Sequence, residues 1–110
     1  MYDLTFARPT ASDSFRSLPR DAQSEFNKLF DLLARHPRSP SAELDVHRLQ
    51  GYQNVWTLRS PPWRAIYAVD GQEIVIIVFG HRRDVYARLH GLLPPEGGYV
   101  TRDSMRRRPR

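Results

Sequence analysis

The first third of the chain changes from strand-like to helix-like spacing of its apolar residues. Residues 2–7 alternate between apolar and polar types, which is typical of a half-buried strand. Residues 10–18 have apolar positions at helical spacing, and residues 19–36 carry a longer apolar face that ends before Pro37. The pattern therefore predicts one strand followed by two consecutive helices that form a hairpin.

The second half of the chain has the spacing of strands. Residues 53–59, 63–69 and 73–79 are rich in β-branched and aromatic types, and Asp70-Gly71 between the last two favours a tight hairpin turn. Residues 83–92 return to helical spacing. We predict an α+β fold in which an antiparallel-rich sheet of four strands packs against the N-terminal helical hairpin, with a short helix at the C-terminus.

Length and composition predict a single domain with a basic extension. The 110 residues are enough for one core, which we assign to residues 1–93. Residues 94–110 contain Gly97-Gly98, the run Arg106 to Arg108 and no apolar period, so we expect them to form a flexible basic tail.

The sequence argues against disulfide-bonded, cysteine-dependent and membrane-spanning proteins. The chain has no cysteine, which excludes disulfides, thiolate metal sites and a cysteine nucleophile, and fits a reducing compartment. Its longest apolar run, Ile74 to Phe79, is far shorter than the roughly 20 residues that a membrane helix needs. The N-terminal residues also lack the apolar stretch of a signal peptide. We therefore expect a cytoplasmic protein with no membrane association.

The positive charge lies in the second half of the chain. Residues 1–45 carry six basic and seven acidic side chains, residues 46–93 six and three, and residues 94–110 five and two. Sixteen of the 17 basic residues are arginine, whose planar guanidinium suits phosphate, although a genome rich in G and C would also favour arginine. A polyanionic partner is one reading of this charge.

Motifs for metal or nucleotide chemistry are missing from the sequence. The four histidines, His36, His47, His81 and His90, are not spaced to place two on one helical turn, so we expect no metal site. There is also no phosphate loop ending in Lys-Ser/Thr and no serine elbow. We expect a protein without a cofactor.

Basic and aromatic side chains converge where the predicted strands end. They are Arg59, Trp63, Arg64, His81, Arg82, Arg83 and Tyr86. Such groups suit cleavage of RNA, because arginines offset charge on a pentacoordinate phosphate while His or Tyr moves a proton. Each also has an ordinary structural explanation: Trp63 as a packing aromatic, Arg82 and Arg83 as a solvated helix start beside Asp84, and Tyr86 as a surface-facing helix residue.

The ordered motifs of the second half resemble those of the RelE/ParE superfamily of toxins from prokaryotic toxin-antitoxin pairs. They are Arg48-Leu-Gln-Gly51, Val55-Trp-Thr-Leu-Arg59, Trp63-Arg-Ala-Ile-Tyr-Ala-Val69 and Gly80-His-Arg-Arg-Asp-Val-Tyr86. The resemblance covers about 85 residues, from the first strand onward, and leaves out the tail.

The resemblance implies a type II toxin that a cognate antitoxin neutralises. In the RelE branch it implies a ribosome-dependent endoribonuclease that cleaves mRNA in the ribosomal A site by attack of a 2′-OH on the adjacent phosphate. Arg64 and Arg82, with Arg83 as the alternative, match arginines that stabilise the transition state, and Tyr86 matches a tyrosine that stacks or transfers a proton. His81 falls beside them as a second acid-base candidate. Arg59 matches an RNA-contacting position, and we expect Trp63 and Arg83 to contact the RNA as well.

Two departures from the family pattern keep other readings open. Val55 and Thr57 stand where RNA-cleaving relatives carry lysines, and Pro61-Pro62 replaces a glycine-bearing turn. The alternatives are a ParE-like toxin that poisons DNA gyrase without nuclease activity, and a weakened relative that mainly binds its antitoxin.

Overall fold

The computed structural model describes residues 2–35, 44–93 and 98–101. Within these residues the helices and strands follow one another in this order: β1 Asp3–Phe6, α1 Pro9–Arg16, α2 Arg20–Leu33, β2 Asp45–Arg48, β3 Val55–Ser60, β4 Trp63–Asp70, β5 Glu73–His81 and α3 Val85–Leu92. Among them no helix is long and apolar enough to cross a membrane. The predicted α+β order of strand, helical hairpin, strands and terminal helix is confirmed.

The strands form one sheet in the order β1-β5-β4-β3-β2. Strands β2 to β5 are antiparallel neighbours, and β1 returns to pair in parallel with β5. The prediction of four strands was wrong, because the sheet has a fifth strand, β2, at one edge. Its apolar alternation is limited to buried Leu44 and Val46 between polar residues, which is too short a period to recognise by itself.

The helical hairpin α1-α2 covers one face of the sheet. The apolar face of α2, centred on fully buried Phe26 and Leu33, packs against strand residues that include Tyr67 and Phe79. The ring of Phe79 lies 5.1 Å from that of Phe15 and 5.3 Å from that of Phe26, centroid to centroid, in edge-on contacts. Burial of this aromatic group holds the hairpin on the sheet.

The opposite face of the sheet carries α3 and a short C-terminal segment. Val85 and Leu89 of α3 are fully buried against inward residues of the strands, such as Ile66 and Ile77. A register shift between Ile66 and Tyr67 changes which β5 residues point to each face. Helix α3 lies over the ends of β4 and β5 that bear the candidate site.

Residues 98–101 pack against the domain, although they fall within the predicted tail. Val100 is buried, and its backbone N–H and carbonyl both bond to the side chain of Asn54, at 2.7 Å each. The amide of Asn54 also donates to the carbonyl of Val69, at 2.9 Å. The packed part of the chain thus reaches Thr101, while the rest of the predicted tail, 94–97 and 102–110, lies outside the described residues.

Candidate active site

The strand register places four residues in one row across the sheet. Asp45 on β2 lies opposite Arg59 on β3, Arg59 lies opposite Arg64 on β4, and Arg64 lies opposite Gly80 on β5. A side chain at Gly80 would point toward Val85 at the start of α3, so the row faces α3. Two arginines directly opposite each other repel, and this repulsion marks the end of the sheet as a place for an anion.

Arg64 is held against Tyr86. Its Nη1 donates a hydrogen bond of 2.5 Å to the phenolic oxygen, and its guanidinium carbon lies 5.5 Å from the centre of the ring. Tyr86 reaches this position because a tight turn, closed by the bond from Asp84 N–H to the carbonyl of His81, starts α3 directly after β5. The structure thus brings Arg64 and Tyr86, two of the predicted site residues, into direct contact.

Arg59 has acidic and imidazole neighbours that were not predicted as site residues. Its Nη2 lies 3.2 Å from Oδ1 of Asp45 and also contacts the ring of His47. Nε2 of His47 lies 2.7 Å from the same carboxylate oxygen. The alternation of Leu44 and Val46 with Asp45 and His47 was the available signal, because it places both polar side chains on the face opposite the two apolar ones.

Trp63 and His81 lie together on the other face of the sheet. They are directly opposite each other in the β4-β5 register, and their rings meet edge-on with centroids 5.9 Å apart at an angle of 87°. Trp63 is next to Arg64 in the sequence, and His81 is next to Gly80. Because successive side chains of a strand point to opposite faces of the sheet, Trp63 and His81 face α2. The structure consequently does not bring His81 and Tyr86 together as an acid-base pair.

A cavity of about 500 Å³ opens at this end of the sheet and touches both groups. Its lining residues are Asp45, Arg59, Pro61, Pro62, Trp63, Arg64, His81 and Arg82. The backbone N–H of Arg82 donates to the carbonyl of Pro62 at 3.2 Å, which ties the end of β5 to the β3-β4 turn. The lining contains three arginines and one carboxylate, so the cavity is cationic and suited to a phosphate group.

Arg83 lies beside this cavity without lining it. The side chains of Arg82 and Arg83 are both exposed in the turn between β5 and α3. Of the sequence-predicted residues, the structure groups Arg59, Arg64 and Tyr86 on one face and Trp63 with His81 on the other. Arg82 sits at the rim between them.

The inner positions of β3 offer no acid-base group. Val55 is fully buried, and Thr57 is buried with its hydroxyl lacking a partner among the described residues. The residues that the structure describes contain no group of three or more His, Asp or Glu side chains placed to hold a metal ion. The chemistry available at the site is therefore anion binding by guanidinium groups, with the Tyr86 hydroxyl and the His81 imidazole as groups that can donate or accept a proton.

Comparison with protein families gives one match over most of the chain. Residues 7–86 match the family model described as the ParE toxin of type II toxin-antitoxin systems. A search of curated proteins gave no match.

Solved structures share the fold. The archaeal RelE-RelB complex from Pyrococcus horikoshii is 25% identical, with a TM-score of 0.63 over 74% of this chain and 94% of that chain. The RelB-RelE complex from Methanococcus jannaschii is 19% identical, with a TM-score of 0.62 over 76% and 95%. The E. coli DinJ-YafQ complex is 17% identical, with a TM-score of 0.64 over 77% and 97%.

Proposed function

The chain belongs to the ParE toxin family of type II toxin-antitoxin systems, and we propose that within this family it acts as an endoribonuclease that cleaves mRNA in the ribosomal A site. The contact between Arg64 and Tyr86 carries this proposal. It joins a fixed positive charge that lines a cationic cavity to a group that can move a proton. A toxin that acts only by binding would not require this pairing.

The reaction would proceed by transfer within the RNA. The ribose 2′-hydroxyl loses its proton to solvent water, and its oxygen forms a bond to the adjacent phosphorus. The bond from phosphorus to the 5′-oxygen breaks, the 5′-oxygen takes up a proton, and a 2′,3′-cyclic phosphate and a 5′-hydroxyl result. The nucleophile belongs to the substrate, so the protein has to stabilise charge and move protons, and no cofactor is required.

Charge stabilisation falls to the arginines of the cavity. Arg64 and Arg59 are strand neighbours, so one phosphate can contact both guanidinium groups, and Arg82 approaches from the rim. Negative charge grows on the phosphate oxygens as the pentacoordinate state forms, and each guanidinium then binds more strongly than in the ground state.

Proton transfer is assigned to Tyr86. Its oxygen accepts a hydrogen bond from Arg64, which leaves the phenolic proton directed away from the arginine and available to the departing 5′-oxygen. Trp63 and His81 line the cavity from the other face, and we assign them to contact with the flanking bases. Arg83, exposed beside the rim, would contact the RNA backbone.

A cognate antitoxin is the expected protein partner. The RelE relatives from Pyrococcus horikoshii and Methanococcus jannaschii are each in complex with a RelB antitoxin. The cationic cavity would suit acidic side chains of such a partner, which would then exclude the RNA.

The test is to induce the protein in cells and map the ends of messages. Cleavage predicts new 5′ ends within translated regions, and Arg64→Ala and Tyr86→Phe should each reduce cutting by about a hundredfold or more and relieve growth arrest. Arg35→Ala and Tyr99→Phe are matched controls, because both residues are exposed and neither lines the cavity. They should arrest growth as the unsubstituted chain does.

Poisoning of DNA gyrase is the second candidate function. Two observations favour it: the matching family model is that of ParE toxins, and the buried Val55 and Thr57 stand where lysines were expected. Intact messages together with arrested replication would select this function and refute RNA cleavage. Harmless expression in the absence of an antitoxin would instead select the weakened relative.

A further inference from the structure

Asp45 is the single acidic side chain among the described residues that line the cationic cavity. It stands at the end of the row in which Arg59 and Arg64 face each other. Its carboxylate oxygen lies 3.2 Å from Nη2 of Arg59 and 2.7 Å from Nε2 of His47. A carboxylate in this position offsets the repulsion between the two arginines.

The pair that Asp45 forms with Arg59 is accessible to solvent. The Asp45 side chain is 48% exposed and that of Arg59 is 33% exposed. An ion pair that is open to water is weak and is readily exchanged for another anion. The carboxylate is also the protein group closest in charge and shape to a phosphate edge, and a guanidinium can bind either one.

We propose that Asp45 is an internal stand-in for phosphate. Its carboxylate pairs with the Arg59 guanidinium in the free protein, and an RNA phosphate that enters the cavity displaces it. The proposal rests on the proposed function in that it takes RNA as the source of the phosphate. Asp45 then has two opposite effects. It stabilises the free protein, and it weakens binding of the anion, because the phosphate must break an existing pair.

These opposite effects separate the proposal from a simple structural role. A residue that only maintains the fold would lower both stability and RNA binding when it is replaced. Removal of the Asp45 charge should instead lower the melting temperature of the free protein and tighten its binding of RNA. The stabilisation that RNA gives to the protein should rise accordingly.

The experiment compares Asp45→Asn with Asp31→Asn in the full chain. Asp31 is an exposed residue on α2 that does not line the cavity, so its substitution changes net charge by the same amount away from the site. The probe is a short single-stranded RNA with methylated 2′-hydroxyls, which cannot be cleaved, and the readouts are fluorescence anisotropy and thermal melting with and without the RNA.

Asp45→Asn should bind this RNA about two- to fivefold more tightly than the unsubstituted chain, as the strength of exposed ion pairs implies. Asp31→Asn should bind within about 1.5-fold of it, since a distant exposed charge is screened. The gain should vanish when Arg59→Gln is present in both chains, because Asp45 acts through that guanidinium. If Arg59→Gln does not fold, the comparison of the two Asp variants decides the question alone.

Equal or weaker RNA binding by Asp45→Asn, or a gain that persists without Arg59, would overturn the proposal. So would failure of both the substituted and unsubstituted chains to bind the RNA. Message mapping with the unsubstituted chain tests the proposed function independently. Cut messages with no effect of Asp45→Asn refute the stand-in role alone, and uncut messages with tighter RNA binding refute the nuclease alone.

Discussion

Substitution of Asn54 by alanine should be among the most damaging single changes outside the candidate site. The Asn54 side chain is 5% exposed and makes three hydrogen bonds, two to the backbone of Val100 and one to the carbonyl of Val69. Each bond contributes about 1 kcal/mol, so Asn54→Ala should lower the free energy of unfolding by about 3 kcal/mol. For a domain of this size the melting temperature would fall by about 12 °C.

The cost should depend on whether residues 98–101 are present. In a chain that ends after Thr101, Asn54→Ala should again cost about 3 kcal/mol, because the segment that contains Val100 is intact. In a chain that ends after Leu93, only the bond to Val69 remains, and the cost should fall to about 1 kcal/mol. The difference of about 2 kcal/mol is the coupling between Asn54 and the C-terminal segment.

Urea unfolding of the four chains measures this coupling directly. Each truncated chain serves as the reference for its own Asn54→Ala variant, so a general effect of shortening cancels. Equal costs in the two backgrounds would show that residues 98–101 do not bind Asn54 in solution. That result would refute the role assigned to these hydrogen bonds. Residues 98–101 would then belong to the flexible tail, as the sequence predicted.

Two further predictions concern the buried interior. Thr57→Val should raise the free energy of unfolding by about 1 kcal/mol in denaturant titrations, because the buried Thr57 hydroxyl has no partner among the described residues; a loss of similar size would show that it is bonded in solution. Burial raises the pKa of Tyr67 above its ordinary value of 10.0, so the folded protein keeps this phenol protonated where the unfolded chain ionises it. Stability should therefore fall as the pH rises above about 10, and Tyr67→Phe should make that fall shallower in unfolding curves measured at about pH 9 and pH 11; an unchanged slope would contradict this origin.

Local patterns were sufficient for the elements with strong periodicity. The unbroken apolar run of Ile74 to Phe79 predicts a strand covered on both faces, and β5 is that strand. The helical face from Ala22 to Leu33 is likewise buried in α2. Asp70-Gly71 forms the predicted turn, with Gly71 at a φ of +59°, a conformation that glycine adopts without strain.

Long-range pairing decided the elements with weak periodicity. Strand β2 has only four residues, and it exists because β3 offers it an edge with which to pair. Residues 98–101 have no repeating pattern, and they are placed by the side chain of Asn54, which is 46 residues from Val100 in sequence. Neither partner reveals this contact when it is considered alone.

The candidate site shows the same division. The sequence predicted that Trp63 and Arg64 converge, but as neighbours on one strand they point to opposite faces of the sheet. That His81 joins Trp63 required the β4-β5 register, including the shift between Ile66 and Tyr67. Asp45 is recognised as a residue of the site only from its pairing with Arg59 in the β2-β3 register.

The sequence by itself determined the fold class, the family resemblance and the concentration of arginine and aromatic residues in the second half of the chain. Those properties depend on residue types and local periods, which each segment carries independently of the rest. The tertiary structure alone decided that Arg64 contacts Tyr86, that His81 packs against Trp63, and that Asp45 forms an ion pair with Arg59. These contacts depend on the register between strands, which is set by packing of the whole domain.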